Sequence, residues 1–168
     1  MTWRDGSMYK EDWVNDYMEG NGVMRYADES VYAGQRHDDK RTGIGTMIWL
    51  NGDRYEGDWM DDCMDGNGVI TYADGSVYNE QWIINDRSRM GSMTWPNGEK
   101  FVGIWLFDTI ISGVYTWTNG QKYEGFIYDA GKSGSAFLQT KVGGCYLKEN
   151  GKTISSFLTL LRAVHLLV

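Results

Sequence analysis

Residues 55–77 read Tyr55-Glu56-Gly57-Asp58-Trp59, a polar stretch over 60–65, then Gly66-Asn67-Gly68-Val69-Ile70-Thr71-Tyr72 and Asp74-Gly75. Units of the same kind start at Tyr9, Tyr32, Tyr55, Tyr78, Phe101, Tyr123 and Tyr146, in steps of 23, 23, 23, 23, 22 and 23 residues. A fixed short period is the mark of a repeat architecture, in which one unit cannot bury a face alone and its neighbours complete the core.

Each unit holds two strand-like segments, one around Tyr55-Glu56-Gly57-Asp58-Trp59 and one over 66–72. Asx-Gly pairs (Asp5-Gly6, Asn51-Gly52, Asp74-Gly75, Asn97-Gly98, Asn119-Gly120) separate one unit from the next. Asx-Gly between strands signals a hairpin. Pro96 before Asn97-Gly98 favours a type I turn closed by a left-handed glycine, a three-residue loop. That loop sets Trp49 opposite Asp53, Met47 opposite Tyr55, Gly45 opposite Gly57 and Gly43 opposite Trp59. Tyr55, Gly57, Trp59, Gly66, Gly68 and Tyr72 then share one face. A two-residue loop would scatter them over both. Each strand glycine lies beside a ring that can cover it.

Tyr-x-Gly-x-Trp, then Gly-x-Gly, then Asx-Gly, on a 23-residue period, resembles the MORN repeat family (membrane occupation and recognition nexus) over roughly residues 1–146. The resemblance implies stacked β-hairpins in an elongated, twisted, trough-like sheet with an aromatic-lined groove. It also implies scaffolding at cytoskeletal or membrane-associated assemblies, ciliary and flagellar ones included, and hence a cytoplasmic, cytoskeleton-associated location. The expected fold is all-β, a single-layer antiparallel meander of about six hairpins over residues 1–150. The expected groove residues are Tyr9, Trp13, Tyr26, Tyr32, Trp49, Tyr55, Trp59, Tyr72, Tyr78, Trp82, Trp95, Phe101, Trp105, Trp117 and Tyr123.

The copies drift. Glu11 and Glu80 replace a glycine, Arg36 and Ile127 replace the tryptophan, and Glu29 replaces the turn glycine. Arg36, Glu11 and Glu80 either reflect drift or tune a binding face. The unit starting at Phe101 has lost one residue around 108–111. After Tyr146 the pattern stops, and Ile154, Phe157, Leu158, Leu161 and Val164 fall at helical spacing. This predicts an amphipathic helix over 153–168, which either caps the array or docks on a partner.

Formal charge is −7, with nine basic and nineteen acidic side chains in residues 1–99 against seven and four in residues 100–168. An acidic chain suits neither nucleic acid nor anionic lipid. His37 and His165 form no catalytic or metal-binding pattern, and Cys63 and Cys145 lack the spacing of a zinc site or disulfide framework. No phosphate-binding loop is present. Asp38-Asp39 and Asp61-Asp62, 23 residues apart, mark at most a weak cation site. The expectation is a non-catalytic scaffold without cofactor or metal, binding a partner segment or helix along its aromatic groove. The half-unit at Trp3 leaves an N-terminal strand edge open to self-association. The alternatives are a peripheral phospholipid-binding module and the regulatory subunit of an enzyme complex.

Overall fold

The computed structural model describes residues 1–129, 136–140, 148–149 and 152–153, with side chains over 1–10 and 13–127. Its strands are β1 (Met8–Val14), β2 (Tyr17–Arg25), β3 (Val31–His37), β4 (Lys40–Ile48), β5 (Arg54–Met60), β6 (Cys63–Thr71), β7 (Val77–Ile83), β8 (Asp86–Thr94), β9 (Lys100–Leu106), β10 (Thr109–Thr116), β11 (Lys122–Asp129) and β12 (Ala136–Thr140). All twelve lie in one open antiparallel sheet in chain order. A further pair, β13 (Lys148–Glu149) and β14 (Lys152–Thr153), forms a separate two-stranded ribbon. The meander is as expected. The helix predicted over 153–168 is not shown: Thr153, its expected first residue, lies in β14, and Ile154, Phe157, Leu158, Leu161 and Val164 lie outside the described residues.

The register follows from the turns. Gly43 pairs with Trp59, Gly45 with Gly57 and Met47 with Tyr55. In the Leu50-Asn51-Gly52 loop the Gly52 N–H donates to Trp49 O and the Trp49 N–H to Asp53 O, both at 2.9 Å. This is a type I turn followed by a left-handed glycine, φ 93°. The Asx side chain locks it by accepting the N–H two residues on, as Asn51 does from Asp53 and Asp74 from Ser76.

Glu29 occupies the glycine position of one such turn at φ 70°. Its ion pair with Arg25, 3.9 Å long between well-exposed side chains, offsets little of the left-handed strain. Glu29→Gly should therefore stabilise the protein by about 1 kcal/mol, read as a higher urea midpoint.

The alternate connections differ from expectation. The polar stretches between hairpins are themselves two-residue turns with positive φ at both residues: Asn15-Asp16, Asp38-Asp39, Asp61-Asp62, Ile84-Asn85 and Phe107-Asp108. These are type I′ turns, whose twist matches that of the strands they join. The sheet therefore runs without a break from hairpin to hairpin.

In the units starting at Tyr9, Tyr32, Tyr55 and Tyr78 a bulge shifts the register by two, as between Gly57↔Gly68 and Trp59↔Met64. Gly66 sits in it at φ 109°, and Arg89 holds the same position at φ 64°. The residue lost from the unit of Phe101 comes out of this bulge, between Ile110 and Ser112, and leaves the turn intact.

The N-terminal edge is partly covered. Thr2 bridges Met8, and the Tyr9 N–H donates to Met1 O at 2.9 Å.

Candidate functional site

The core is a spine of interlocked rings on one face of the sheet. Tyr9, Tyr32, Tyr55, Tyr78 and Phe101 are fully buried. Each Tyr ring covers a glycine on the next strand, and a Cβ built on Gly68 would stand 2.3 Å from Tyr55 Oη. The hydroxyl reaches the carbonyl three residues on, Tyr55 to Asp58 O at 2.9 Å and Tyr32 to Gln35 O at 2.8 Å. That carbonyl lies on the bulge, where the strand ladder is interrupted.

Tryptophans join the units. Trp59 stands edge-on between Tyr32 and Tyr55, Trp82 between Tyr55 and Tyr78, and Trp105 between Tyr78 and Phe101, with centroids 5.2–5.5 Å apart. The Trp59 and Trp82 indole N–H groups donate to the carbonyls of Gly45 and Gly68 at 3.2 Å. Arg36 fills the vacated tryptophan place. Its buried guanidinium lies 5.8 Å from the Tyr9 ring and 5.2 Å from Tyr32, a cation–π substitute for the indole. Its Nη2 donates to Tyr26 Oη at 3.0 Å. Ile127, at the last tryptophan position, is buried.

Burial raises the phenol pKa of Tyr32, Tyr55 and Tyr78 above the ordinary 10.0, Tyr32 to about 12. The folded state holds these protons more tightly than the unfolded chain does. Their contribution is complete below pH 10 and is lost as pH rises through the folded values. The urea midpoint should thus be steady in the neutral range and fall above pH 10, with phenolate absorbance of these rings appearing only as the sheet opens.

The two edges of the sheet have different chemistry. At the type I′ edge, the second turn residue clamps the neighbouring unit. Asp39, Asp62, Asn85 and Asp108 accept the N–H of Met18, Arg41, Met64 and Arg87 at 2.8–3.0 Å. Their own N–H groups donate back to the carbonyls of the same four residues. The Asp39 and Asp62 carboxylates expected as a weak cation site are engaged in this way, and Asp61 pairs with Lys40 at 3.1 Å. Arg41 and Arg87, held by Asp62 and Asp108, lie 4.3 Å from the Trp59 centroid and 4.6 Å from Trp105. Beside them Glu19, His37 and Asp38 cluster at the surface, with His37 Nδ1 2.9 Å from Glu19 Oε1. The Glu19 hydrogen bond raises the His37 pKa.

The opposite edge carries a row of half-buried rings, one per unit, immediately before each Asx turn: Trp3, Tyr26, Trp49, Tyr72, Trp95 and Trp117. Tyr115 bridges the last two, 5.5 Å from Trp95 and 5.2 Å from Trp117, and donates to Glu99 Oε2 at 2.6 Å.

The expected groove set therefore divides. Tyr9, Tyr32, Tyr55, Tyr78, Phe101, Tyr123, Trp59, Trp82 and Trp105 are core and offer a ligand almost no surface. Tyr26, Trp49, Tyr72, Trp95 and Trp117 remain accessible, as does Trp13, 36% exposed near the N-terminal edge. Sequence reasoning missed Trp3, Tyr115 and the Asx clamps. Asp16, Asp39, Asp62, Asn85 and Asp108, in step with the repeat, were the available signal.

Twelve strands in chain order, an aromatic spine and two chemically distinct edges define a β-hairpin repeat protein. The MORN repeat model matches residues 12–31, 32–54, 55–77, 81–100 and 112–122. The chain belongs to the MORN repeat family. No curated protein gives a match. Among solved structures it is similar to the SAS-4 (dCPAP) TCP domain in complex with a proline-rich motif of Ana2 (dSTIL) of Drosophila melanogaster. Identity is 14% over 74% of this chain and 80% of that chain, and the TM-score is 0.35. Among the described residues no helix is long and apolar enough to cross a membrane.

Proposed function

We propose that this chain is a non-catalytic scaffold that binds a segment of a partner protein along the row Trp3, Tyr26, Trp49, Tyr72, Trp95 and Trp117, in the cytoplasm, at a cytoskeletal, ciliary or flagellar assembly. The row carries the reading. Six large rings, each packed against the core yet only partly buried, recur once per unit. Such rigid aromatic surface is what binding hot spots use. The assembly and location rest on the family resemblance alone.

The net charge of −7 disfavours the lipid reading. A photo-crosslinking residue at position 49 or 95 is expected to capture protein from a cytoskeletal extract, and one at Glu56, exposed on the opposite face, to capture none. Equal capture from both faces would remove the row as the binding surface. Co-sedimentation with phosphatidylserine vesicles at moderate salt would transfer the function to membranes.

A further inference from the structure

We propose that the segment bound along this row is proline-rich and basic, in the polyproline II conformation, an inference that rests on the row being the binding face. The first ground is spacing. Each unit adds two strands about 4.8 Å apart, so the rings stand about 9.6 Å from one another. A polyproline II helix presents the same face every third residue, about 9.3 Å apart. An α-helix returns to one face every seventh residue, about 10.5 Å. Over the five steps from Trp3 to Trp117 the polyproline helix drifts by about 1.5 Å and the α-helix by about 4.5 Å. An extended strand shows one face every 6.6 Å or so and misses alternate rings.

The second ground is the chemistry of the rings. Four of the six are Trp and two are Tyr, flat surfaces of the kind that line proline-recognising grooves. Several are held before any ligand arrives: Tyr26 by Arg36, Trp95 and Trp117 by Tyr115. Polyproline II is likewise ordered when free, so little freedom is lost on either side.

The third ground is charge. The turns beside the row, residues 4–7, 27–30, 50–53, 73–76, 96–99 and 118–121, hold six carboxylates and one cation. The carboxylates are Asp5, Asp28, Glu29, Asp53, Asp74 and Glu99; the cation is Arg4. The turn hydrogen bonds to Ser7, Ser30 and Ser76 hold the Asp5, Asp28 and Asp74 carboxyls below the usual range, so they stay ionised. This rim complements arginine or lysine between the prolines and repels an acidic segment.

The test uses the full chain and three synthetic probes of equal length and charge: (Pro-Pro-Arg)5, (Gly-Gly-Arg)5 and a helical peptide with leucine at heptad spacing. Binding is read by tryptophan fluorescence and calorimetry. (Pro-Pro-Arg)5 is expected to bind at least about tenfold more tightly than either of the others and to lose about tenfold in Trp49→Ala/Trp95→Ala. Because that variant can lose stability, a second one keeps the fold. Asp5→Asn/Asp28→Asn/Asp74→Asn retains the Asx turns, as Asn51, Asn97 and Asn119 already do. It should weaken (Pro-Pro-Arg)5 roughly fivefold. Tighter binding of the heptad peptide, lost in the ring variant, would overturn the polyproline inference and leave the row as the binding face. Probes that all bind equally, indifferent to both variants, would overturn the inference and the row together.

Discussion

Trp82→Ala is expected to destabilise the protein by about 4 kcal/mol, a large part of the roughly 5–15 kcal/mol that holds a domain folded. Trp82 is buried and sits between Tyr55 and Tyr78 at 5.5 and 5.2 Å. Truncation leaves an indole-sized hole in a single-layer sheet whose neighbours are pinned by their own hydroxyl bonds to Asp58 O and Gln81 O. The hole can close little, so the cavity cost adds to the lost transfer energy. The Gly68 carbonyl also loses the indole donor.

A comparison separates this from a general intolerance of tryptophan loss. Trp13 has two ring contacts, Trp3 at 6.2 Å and Tyr9 at 5.4 Å, but is 36% exposed. Trp13→Ala should cost nearer 1 kcal/mol, the worth of the ring contacts with part of the burial. Position matters further in a linear array. Trp82 is the ring shared by two adjacent units, so its loss weakens an interface between units as well as a core. Denaturation followed by far-UV circular dichroism should show a lower midpoint and a broadened or biphasic transition. A single transition shifted by less than about 1 kcal/mol would rule out the spine as the element joining the units.

The face carrying that spine was legible before its depth was. The Pro96-Asn97-Gly98 turn and the demand that Tyr55, Gly57 and Trp59 share a face determine the pairing of Gly43 with Trp59, and the structure has it. Strand periodicity says which side a ring is on and nothing of how far it sinks. Tyr55 and Trp49 share a face, yet Tyr55 is sealed and Trp49 half-open. The difference arises because Trp82 of the next unit closes over Tyr55, a contact across 27 residues that no local pattern contains. The Asp61-Asp62 turn was hidden for another reason. It takes left-handed backbone at two residues without a glycine, and the hydrogen bonds by which Asp62 clamps Arg41 help hold it there. Arg36, legible only as a departure from the pattern, is a buried ring substitute that also fixes Tyr26 of the open row.

Gly68→Ala is the second large effect, expected at about 3 kcal/mol or more of destabilisation. The added methyl would stand 2.3 Å from Tyr55 Oη, 2.4 Å from Cε2 and 2.5 Å from Cζ. Relief by side-chain motion is blocked, because the ring is wedged edge-on against Trp59 and Trp82 and its hydroxyl is bonded to Asp58 O. Backbone conformation is not the cause, since Gly68 is absent from the positive-φ residues. Gly75→Ala supplies the converse case. Gly75 has φ 87°, and its methyl would meet only Pro96 Cγ, at 3.7 Å. Backbone strain alone then sets a cost of about 1 kcal/mol.

A double-mutant cycle isolates the steric component. Tyr55→Ala alone removes a buried ring and costs about 4 kcal/mol. Combined with Gly68→Ala, the methyl enters space the ring has vacated, and the pair should cost clearly less than the sum of the two. Tyr55→Phe should rescue only in part, because the ring carbons remain within 2.4–2.5 Å of the methyl once the hydroxyl is gone. Strict additivity of Gly68→Ala with Tyr55→Ala would mean that the glycine serves the strand backbone and that the ring covering it is incidental.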